Sequence, residues 1–227
     1  MIFRLYRRLA RAYGPLHWWP ARTRFEVIVG AFLTQNTSWK NVEQALRNLR
    51  RAGVLNINGI RKIGNGELEQ IIRPSGYFRQ KSVRLKTFVA YVDARHGGSL
   101  SRMFFEPVGS LRAELLKLNG VGPETADAIL LYAGKLPVFV VDSYARRIFE
   151  RHGIAPAGAK YELLRGLVES AFAKNGANRL ADHLNEFHAL IVEVGKRHCG
   201  TVAKCDGCPL KPLLPARFRG QVPHSAT

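Results

Sequence analysis

The stretch that decides the fold reads Leu118-Asn119-Gly120-Val121-Gly122-Pro123-Glu124-Thr125-Ala126, and Asp142 follows twenty positions beyond Gly122. Both glycines suit a tight turn, because glycine enters backbone conformations with positive φ at little cost. Pro123 suits the first position of a helix, where its missing N–H is no loss. Leucines before the turn and aliphatic residues after it recur at helical spacing. The stretch therefore predicts a helix, a tight hairpin and a second helix.

The hairpin and Asp142 together indicate chemistry on DNA. Backbone N–H groups at the start of the second helix can hold a phosphate without reading a base. Asp142 directly precedes another helical pattern, where the positive end of the helix dipole favours an ionised carboxylate. Aspartate is also a common N-cap residue, so Asp142 fits a capping role as well as a catalytic one.

The charge of the chain predicts attraction to a polyanion. Lysine and arginine number 35 against 17 aspartates and glutamates, which gives a net charge of +18. Such an excess fits nucleic acid, an anionic membrane or a ribosome-associated role. No run of 18 apolar residues occurs, so we expect no membrane partner. The basic residues expected to contact phosphates as a group are Arg47, Arg50, Arg51, Lys81, Arg84, Lys86, Arg146, Arg147, Arg151 and Arg197.

Apolar residues recur at helical spacing along nearly the whole chain, which predicts an all-α fold. Only the short apolar run at 138–141 suggests extended backbone. The tail from about residue 215 contains proline, glycine and serine with little apolar content, so we expect it to be loose.

The hairpin followed at this distance by Val141-Asp142 resembles the helix-hairpin-helix–GPD superfamily of DNA base-excision glycosylases, of which endonuclease III is the best-known type. The resemblance covers about residues 13–210. It implies a helical barrel domain over 22–135 that ends in the hairpin motif. Residues 1–21 and 136–227 would form a second helical domain, with a DNA cleft and base pocket between the two. We also expect a cytoplasmic monomer, nucleoid-associated in a prokaryote, whose partner is double-stranded DNA with a damaged base.

The resemblance gives Asp142 the place of the catalytic aspartate. Breaking an N-glycosidic bond develops positive charge on the sugar, and a nearby carboxylate stabilises that charge and orients or deprotonates the attacking water. Glu124 departs from the pattern of endonuclease III-like enzymes that also cut the strand. Those enzymes have a lysine here, whose amine forms a Schiff base with the sugar. A carboxylate cannot do this, so we expect a glycosylase without AP lyase activity.

Two further segments, His17-Trp18-Trp19-Pro20 and Leu33-Thr34-Gln35-Asn36-Thr37, resemble the 3-methyladenine DNA glycosylase III branch. By that match Trp39, Trp18, Pro20 and Lys196 line the base pocket, and Gln35 fills the gap left by the flipped base. Tryptophan rings stack on flipped bases and attract cations, and a base alkylated on a ring nitrogen is cationic. The alternatives are core packing for the tryptophans and a phosphate contact for Lys196. The hairpin residues expected to contact DNA are Asn119, Gly120, Val121, Gly122, Glu124 and Thr125.

Cys199, Cys205 and Cys208 are the only cysteines of the chain. An odd, clustered set suggests a metal or cluster site in a reducing compartment rather than disulfides. Many relatives carry four cysteines here and bind a [4Fe-4S] cluster, but the usual fourth position is Leu214 in this chain. Either a non-cysteine ligand such as His198 or His224 completes the cluster, or the cluster is degenerate or lost. Zinc also prefers four ligands or three plus water.

These features lead to one hypothesis and two alternatives. The hypothesis is a monofunctional DNA glycosylase that excises alkylated purines such as 3-methyladenine in base excision repair, by base flipping and Asp-assisted hydrolysis. The first alternative is an endonuclease III-like glycosylase and AP lyase that acts on oxidised pyrimidines. The second is a damaged-DNA-binding protein without catalysis.

Overall fold

The computed structural model describes residues 1–16, 21–175 and 179–216, and these are helical with no strand. An isolated bridge between Cys199 and Ala203 is the only β-type pairing in those ranges. The predicted all-α class is confirmed. The helices are α1 (Ile2–Tyr13), α2 (Arg24–Leu33), α3 (Trp39–Arg51), α4 (Ile57–Lys62), α5 (Asn65–Ile72), α6 (Phe78–His96), α7 (Leu100–Met103), α8 (Val108–Leu116), α9 (Pro123–Ala128), α10 (Ser143–Arg151), α11 (Tyr161–Lys174) and α12 (Leu180–His198). A π turn, Ile129–Ala133, continues α9.

The chain divides into two compact units, Met1–Trp18 with Pro137–Thr227 and Trp19–Leu136. The domain boundaries and the cleft that the resemblance implies stay predictions, and each unit is described by itself. The predicted loose tail lies largely outside the described residues. Among the described helices, none combines the length and the apolar character that crossing a membrane requires.

Helix α2 is the central helix of the unit Trp19–Leu136. Every residue from Phe25 to Leu33 is buried, and the helix packs against α3, α6, α9 and the π turn. Its N-terminus is capped by Thr23, whose side-chain oxygen accepts a hydrogen bond from the Glu26 N–H at 3.1 Å. The buried helix ends at Leu33, two residues before Gln35. It therefore fixes the position of the Gln35 backbone.

Lys81 joins α6 to the C-terminal end of α2. Its Nζ is buried and donates hydrogen bonds to the carbonyl oxygens of Leu33 at 2.8 Å and Ser75 at 2.7 Å. Burial, helped by the positive charge of Arg84, lowers the pKa of Lys81 to about 8. The prediction that Lys81 contacts phosphates is wrong, since its buried amine donates to two backbone carbonyl oxygens of its own unit.

Aromatic rings form the core of the other described unit. Helix α12 packs there against α10, α1 and α11. Ring centroids lie 5.1 to 6.3 Å apart within this core, the usual spacing of aromatic pairs. The rings are those of Phe3, Tyr6, Phe139, Phe149, Phe172 and Phe187.

Residues 138–141 are buried and extended but join no sheet. Side chains of α11 take the place of a neighbouring strand. Glu169 Oε1 accepts a hydrogen bond from the Phe139 N–H at 2.9 Å, and the Tyr161 hydroxyl oxygen accepts one from the Val141 N–H at 3.3 Å. Buried backbone amides need such partners. The segment therefore leads to Asp142 in an all-helical unit.

We predict that Lys81→Met lowers the free energy of unfolding by about 1–3 kcal/mol, because it leaves two buried carbonyl groups without a donor. Urea unfolding measures the change. Lys86→Met is the matched control, since Lys86 also donates to two carbonyl oxygens of the same unit but is less buried. A smaller loss is expected for Lys86→Met. Equal losses of unfolding free energy in the two variants would contradict the structural role of the buried Lys81 amine.

The shifted pKa of Lys81 also predicts a pH dependence for the difference in stability between the wild type and Lys81→Met. The folded-state pKa of Lys81 is about 8 and its ordinary value is 10.5, so the unfolded chain binds more protons between these pH values. Folding is therefore favoured as pH rises through this window. We expect the stability advantage of the wild type over Lys81→Met to grow between about pH 7.5 and about pH 9.5. An advantage that stays constant or shrinks would exclude a buried, shifted lysine.

Candidate active site

The structure contains the predicted helix, hairpin and helix. Helix α8 ends at Leu116 and α9 begins at Pro123. Gly120 has a φ of +79°, and the Val121 N–H donates to the Leu118 carbonyl oxygen at 3.0 Å. Gly122 was expected to share the positive φ but has a φ of −90° as the N-cap residue of α9. That value is open to any residue, so only Gly120 is required by the turn.

An ion pair holds the two helices of the hairpin together. Arg112 on α8 donates to both carboxylate oxygens of Asp127 on α9, from Nε at 2.6 Å and from Nη2 at 3.1 Å. Asp127 is fully buried and the Arg112 side chain is 12% exposed. Two parallel charge-assisted hydrogen bonds fix the relative orientation of the groups. The ion pair thus fixes α8 and α9 relative to each other.

Gln35 and Arg84 brace the turn itself. Gln35 Nε2 donates to the Gly120 carbonyl oxygen at 3.0 Å and to Thr125 Oγ1 at 2.9 Å. Arg84 Nη1 donates to Gln35 Oε1. A Cβ at Gly120 would lie 2.0 Å from Arg84 Nε, so this glycine is also needed for the close approach. Both ends of the Gln35 amide are bound to its own unit, and its predicted insertion into DNA stays a prediction.

The hairpin residues predicted to contact DNA differ in exposure. Asn119, Gly122 and Glu124 are exposed, whereas Val121 and Thr125 are buried. The Val121 N–H is already bonded within the turn, so this amide supports the hairpin, and the predicted DNA contact of Val121 stays a prediction. The Thr125 hydroxyl accepts a hydrogen bond from Gln35, so it also supports the turn, and its predicted DNA contact stays a prediction.

Asp142 is the N-cap residue of α10. Its Oδ1 accepts a hydrogen bond from the Ala145 N–H at 2.7 Å, and its side chain is 14% exposed. The backbone of Asp142 is extended, with φ −86° and ψ −176°, as a side-chain cap requires. Capping leaves the carboxylate at the positive end of the helix dipole, with Oδ2 outside the cap bond.

His188 on α12 faces this carboxylate and was missed by the sequence analysis. Its Nε2 lies 3.7 Å from Asp142 Oδ2. Burial lowers the pKa of His188, while the charge of Asp142 acts in the opposite direction. Burial therefore favours the neutral form of the ring. Gly195 permits the close packing of α12 on α10, since a Cβ there would lie 2.3 Å from Tyr144 Cδ1. A histidine on the apolar face of α12 was the available signal.

The residues predicted for the base pocket are only partly described. Trp39 is half-buried at the first position of α3, and its Nε1 donates to Glu43 Oε1 at 3.0 Å. Lys196 is exposed on α12. Trp18 and Pro20 lie outside the described residues. Their predicted roles in base binding stay predictions.

The three cysteines line one cavity on the unit that also carries Asp142. Cys199 is buried, and burial raises the pKa values of the Cys205 and Cys208 thiols. Arg151 Nη1 donates to Cys199 Sγ at 3.0 Å. Across residues 1–16, 21–175 and 179–216, no three histidine, cysteine, aspartate or glutamate side chains are arranged to hold a single metal ion.

Comparison with known proteins agrees with this geometry. A model of the HhH-GPD superfamily of base excision DNA repair proteins matches residues 29–174, more than half of the chain. A protein of Methanocaldococcus jannaschii, named as a DNA repair glycosylase without that activity being established, is 43% identical over 213 residues, 93% of this chain and 94% of that protein.

Two solved structures are similar. The crystal structure of the 3-methyladenine DNA glycosylase of H. pylori bound to 1,N6-ethenoadenine has a TM-score of 0.77 at 30% identity, over 86% of this chain and 97% of that chain. A trapped covalent intermediate of endonuclease III with DNA shares the fold, with a TM-score of 0.76 at 22% identity over 97% and 96% of the two chains. The chain is therefore a DNA glycosylase that belongs to the HhH-GPD superfamily of base excision DNA repair proteins, in a branch like that of the 3-methyladenine enzyme.

Proposed function

We propose that this protein is a monofunctional DNA glycosylase that releases alkylated purines such as 3-methyladenine and leaves an abasic site. It acts as a monomer on double-stranded DNA that contains a damaged base. The observation that carries the proposal is the Asp142 carboxylate, which the Ala145 N–H fixes at the start of α10. It combines a defined direction with a full negative charge, as stabilisation of a sugar cation requires.

The proposed reaction breaks the bond between the base and C1′ of the deoxyribose. The lesion is flipped out of the duplex, and the departing base takes the electron pair of the N-glycosidic bond. Asp142 stabilises the positive sugar and accepts a proton from the water that adds to C1′. His188 lies beside Asp142 Oδ2, and its burial disfavours the charged ring that would cancel the charge of the carboxylate.

Trp39 supports an alkylated base as the substrate. Its indole is half-buried rather than sealed in the core, and its N–H is already bonded to Glu43. That bond favours a role for the ring face rather than for the N–H. An indole face attracts cations, and a purine alkylated on a ring nitrogen is a cation with a good leaving group. The ethenoadenine complex of the similar H. pylori enzyme also supports an alkylated purine.

Glu124 supports the absence of lyase activity. It is exposed in the first turn of α9, where strand-cutting relatives carry the lysine that forms the Schiff base. The nearest lysines in sequence are Lys117, the C-cap residue of α8, and Lys135, which follows the π turn. Neither occupies the first turn of α9.

We also propose that the cysteine loop binds a [4Fe-4S] cluster. The support is the cavity that Cys199, Cys205 and Cys208 share and the iron–sulfur chemistry typical of clustered thiolates. When bound, such a cluster would link the loop to Cys199, the C-cap residue of α12. No step of base release needs it.

Asp142→Asn tests the catalytic role. Asparagine caps helices about as well as aspartate, so we expect the folded structure to be kept while the negative charge is lost. Release of 3-methyladenine from methylated duplex DNA should fall by about 10²-fold or more. Chromatography of the released free bases measures the rate.

Asp182→Asn is the control, because Asp182 is also in the first turn of a helix of the same unit but is exposed. We expect it to retain full activity. Full base release by Asp142→Asn would exclude Asp142 as the catalytic carboxylate. Tight binding to abasic DNA with no base release by the wild type would favour the damaged-DNA-binding alternative.

Borohydride trapping tests the missing lysine. We expect the wild type to form no covalent adduct with damaged DNA, because no amine stands at position 124. Glu124→Lys places an amine there and should produce a trapped adduct, detected as a shifted band on a denaturing gel. Glu124→Gln, which lacks an amine, should not. An adduct with the wild type, on DNA that contains an oxidised pyrimidine, would favour the endonuclease III-like alternative.

A further inference from the structure

We propose that His152 is the fourth ligand of a [4Fe-4S] cluster bound by Cys199, Cys205 and Cys208, and that it replaces the cysteine missing at Leu214. The inference rests on the proposed cluster but not on the proposed substrate. It concerns residues of one unit, at the C-terminal ends of α10 and α12.

The candidate ligands line a single cavity. Three thiols, the His152 ring and the Leu214 side chain belong to the same lining. Leu214 is 6% exposed, so an apolar group closes the cavity where relatives have a fourth thiolate. A cluster held in this cavity needs one more ligand, and His152 is present on its wall.

His152 carries an orphaned buried atom. The residue is 6% exposed, and its Nδ1 has no hydrogen-bond partner among the residues that the structure describes. A buried polar atom without a partner costs about 1–3 kcal/mol. A metal bond to Nδ1 would remove that cost, so the residue fits the cluster that the fold family implies.

The other ring nitrogen prepares His152 for ligation. The backbone of Leu213 hydrogen-bonds to the ring, and since Nδ1 has no partner, this bond is made by Nε2. A carbonyl that accepts the Nε2 proton leaves a bare lone pair on Nδ1. Metal-bound histidines usually donate their second ring N–H in this way.

Leu213 directly precedes Leu214, the usual position of the fourth cysteine. The backbone segment that would carry this cysteine therefore also orients the His152 imidazole. This places His152 beside the gap rather than elsewhere on the cavity wall. His198 also lines the cavity, but it is more exposed, and its Nδ1 lies 3.1 Å from the Lys204 carbonyl oxygen. His198 Nδ1 therefore already has a hydrogen-bond partner, unlike His152 Nδ1. His198 serves as the matched control.

The absence of a single-ion arrangement among the described side chains is compatible with a cluster. A lone metal ion needs its ligands to converge on one point. A [4Fe-4S] cluster bonds each ligand to a different iron, so its ligands surround a body of eight atoms. Binding would release the protons of the three thiols, and Arg151 would donate to the bound Cys199 sulfur as it does in the structure.

The test uses the full chain, purified and reconstituted without oxygen from ferrous iron and sulfide. We expect about four irons and four sulfides per chain. After reduction with dithionite, pulsed electron paramagnetic resonance should detect coupling of the cluster spin to a nitrogen nucleus. The coupling should be kept in His198→Ala and lost in His152→Cys. His152→Cys should also lower the reduction potential, because a thiolate adds negative charge where imidazole is neutral.

His152→Ala should bind less iron than the wild type, and adding Leu214→Cys to that variant should restore it by supplying the usual fourth thiolate. Such a rescue distinguishes a lost ligand from a damaged fold. The proposal is overturned if the wild type binds no cluster, if its cluster shows no nitrogen coupling, or if His198→Ala removes the coupling. The wild type and His198→Ala decide the matter even where changes at His152 prevent folding. No DNA is used, so the outcome is independent of the substrate.

Discussion

The hydrogen bond from the Ala145 N–H to Asp142 Oδ1 is the interaction on which the proposed chemistry depends. It satisfies a free amide at the end of a helix and, by doing so, fixes the direction of the carboxylate. The buried run 138–141 holds the backbone before it, through hydrogen bonds to side chains of α11. Capping and catalysis are therefore not competing explanations of Asp142. The cap gives the carboxylate the fixed position that stabilisation of a sugar cation requires.

Much of the polar chemistry near the hairpin holds the protein together rather than facing outward. Arg84 and Gln35 support the turn, and Arg112 holds α8 to α9. Lys81 donates a hydrogen bond to the Leu33 carbonyl oxygen at the C-terminal end of α2. A net charge of +18 therefore overstates the positive charge available to DNA. Some of these cations form the rigid support that a binding hairpin needs, because exposed amides hold a phosphate well only when their geometry is fixed in advance.

Local chemistry explains what the sequence could predict. The hairpin and the helix start at Asp142 follow from glycine, proline and capping preferences within a few residues, so both were accessible from the sequence. His188 was not, because its place beside Asp142 depends on the packing of α12 on α10, made close by Gly195. The structural use of Val121 was also missed, because a hydrogen bond inside the turn cannot be read from residue types.

Helix α10 connects the two chemical features of its unit. Asp142 caps its N-terminus and His152 is its C-cap residue, so the two are separated by about 15 Å of one rigid helix. Arg151, in the last turn, donates to the Cys199 sulfur and to the Gly200 carbonyl oxygen. A ligand bond from His152 would anchor the same end of α10 more firmly. Its effect on base release would be indirect, since the cluster ligands would stabilise the helix whose opposite end positions the carboxylate. A cluster in this protein would thus have a structural role, and its loss would affect activity through the order of α10 rather than through the reaction itself.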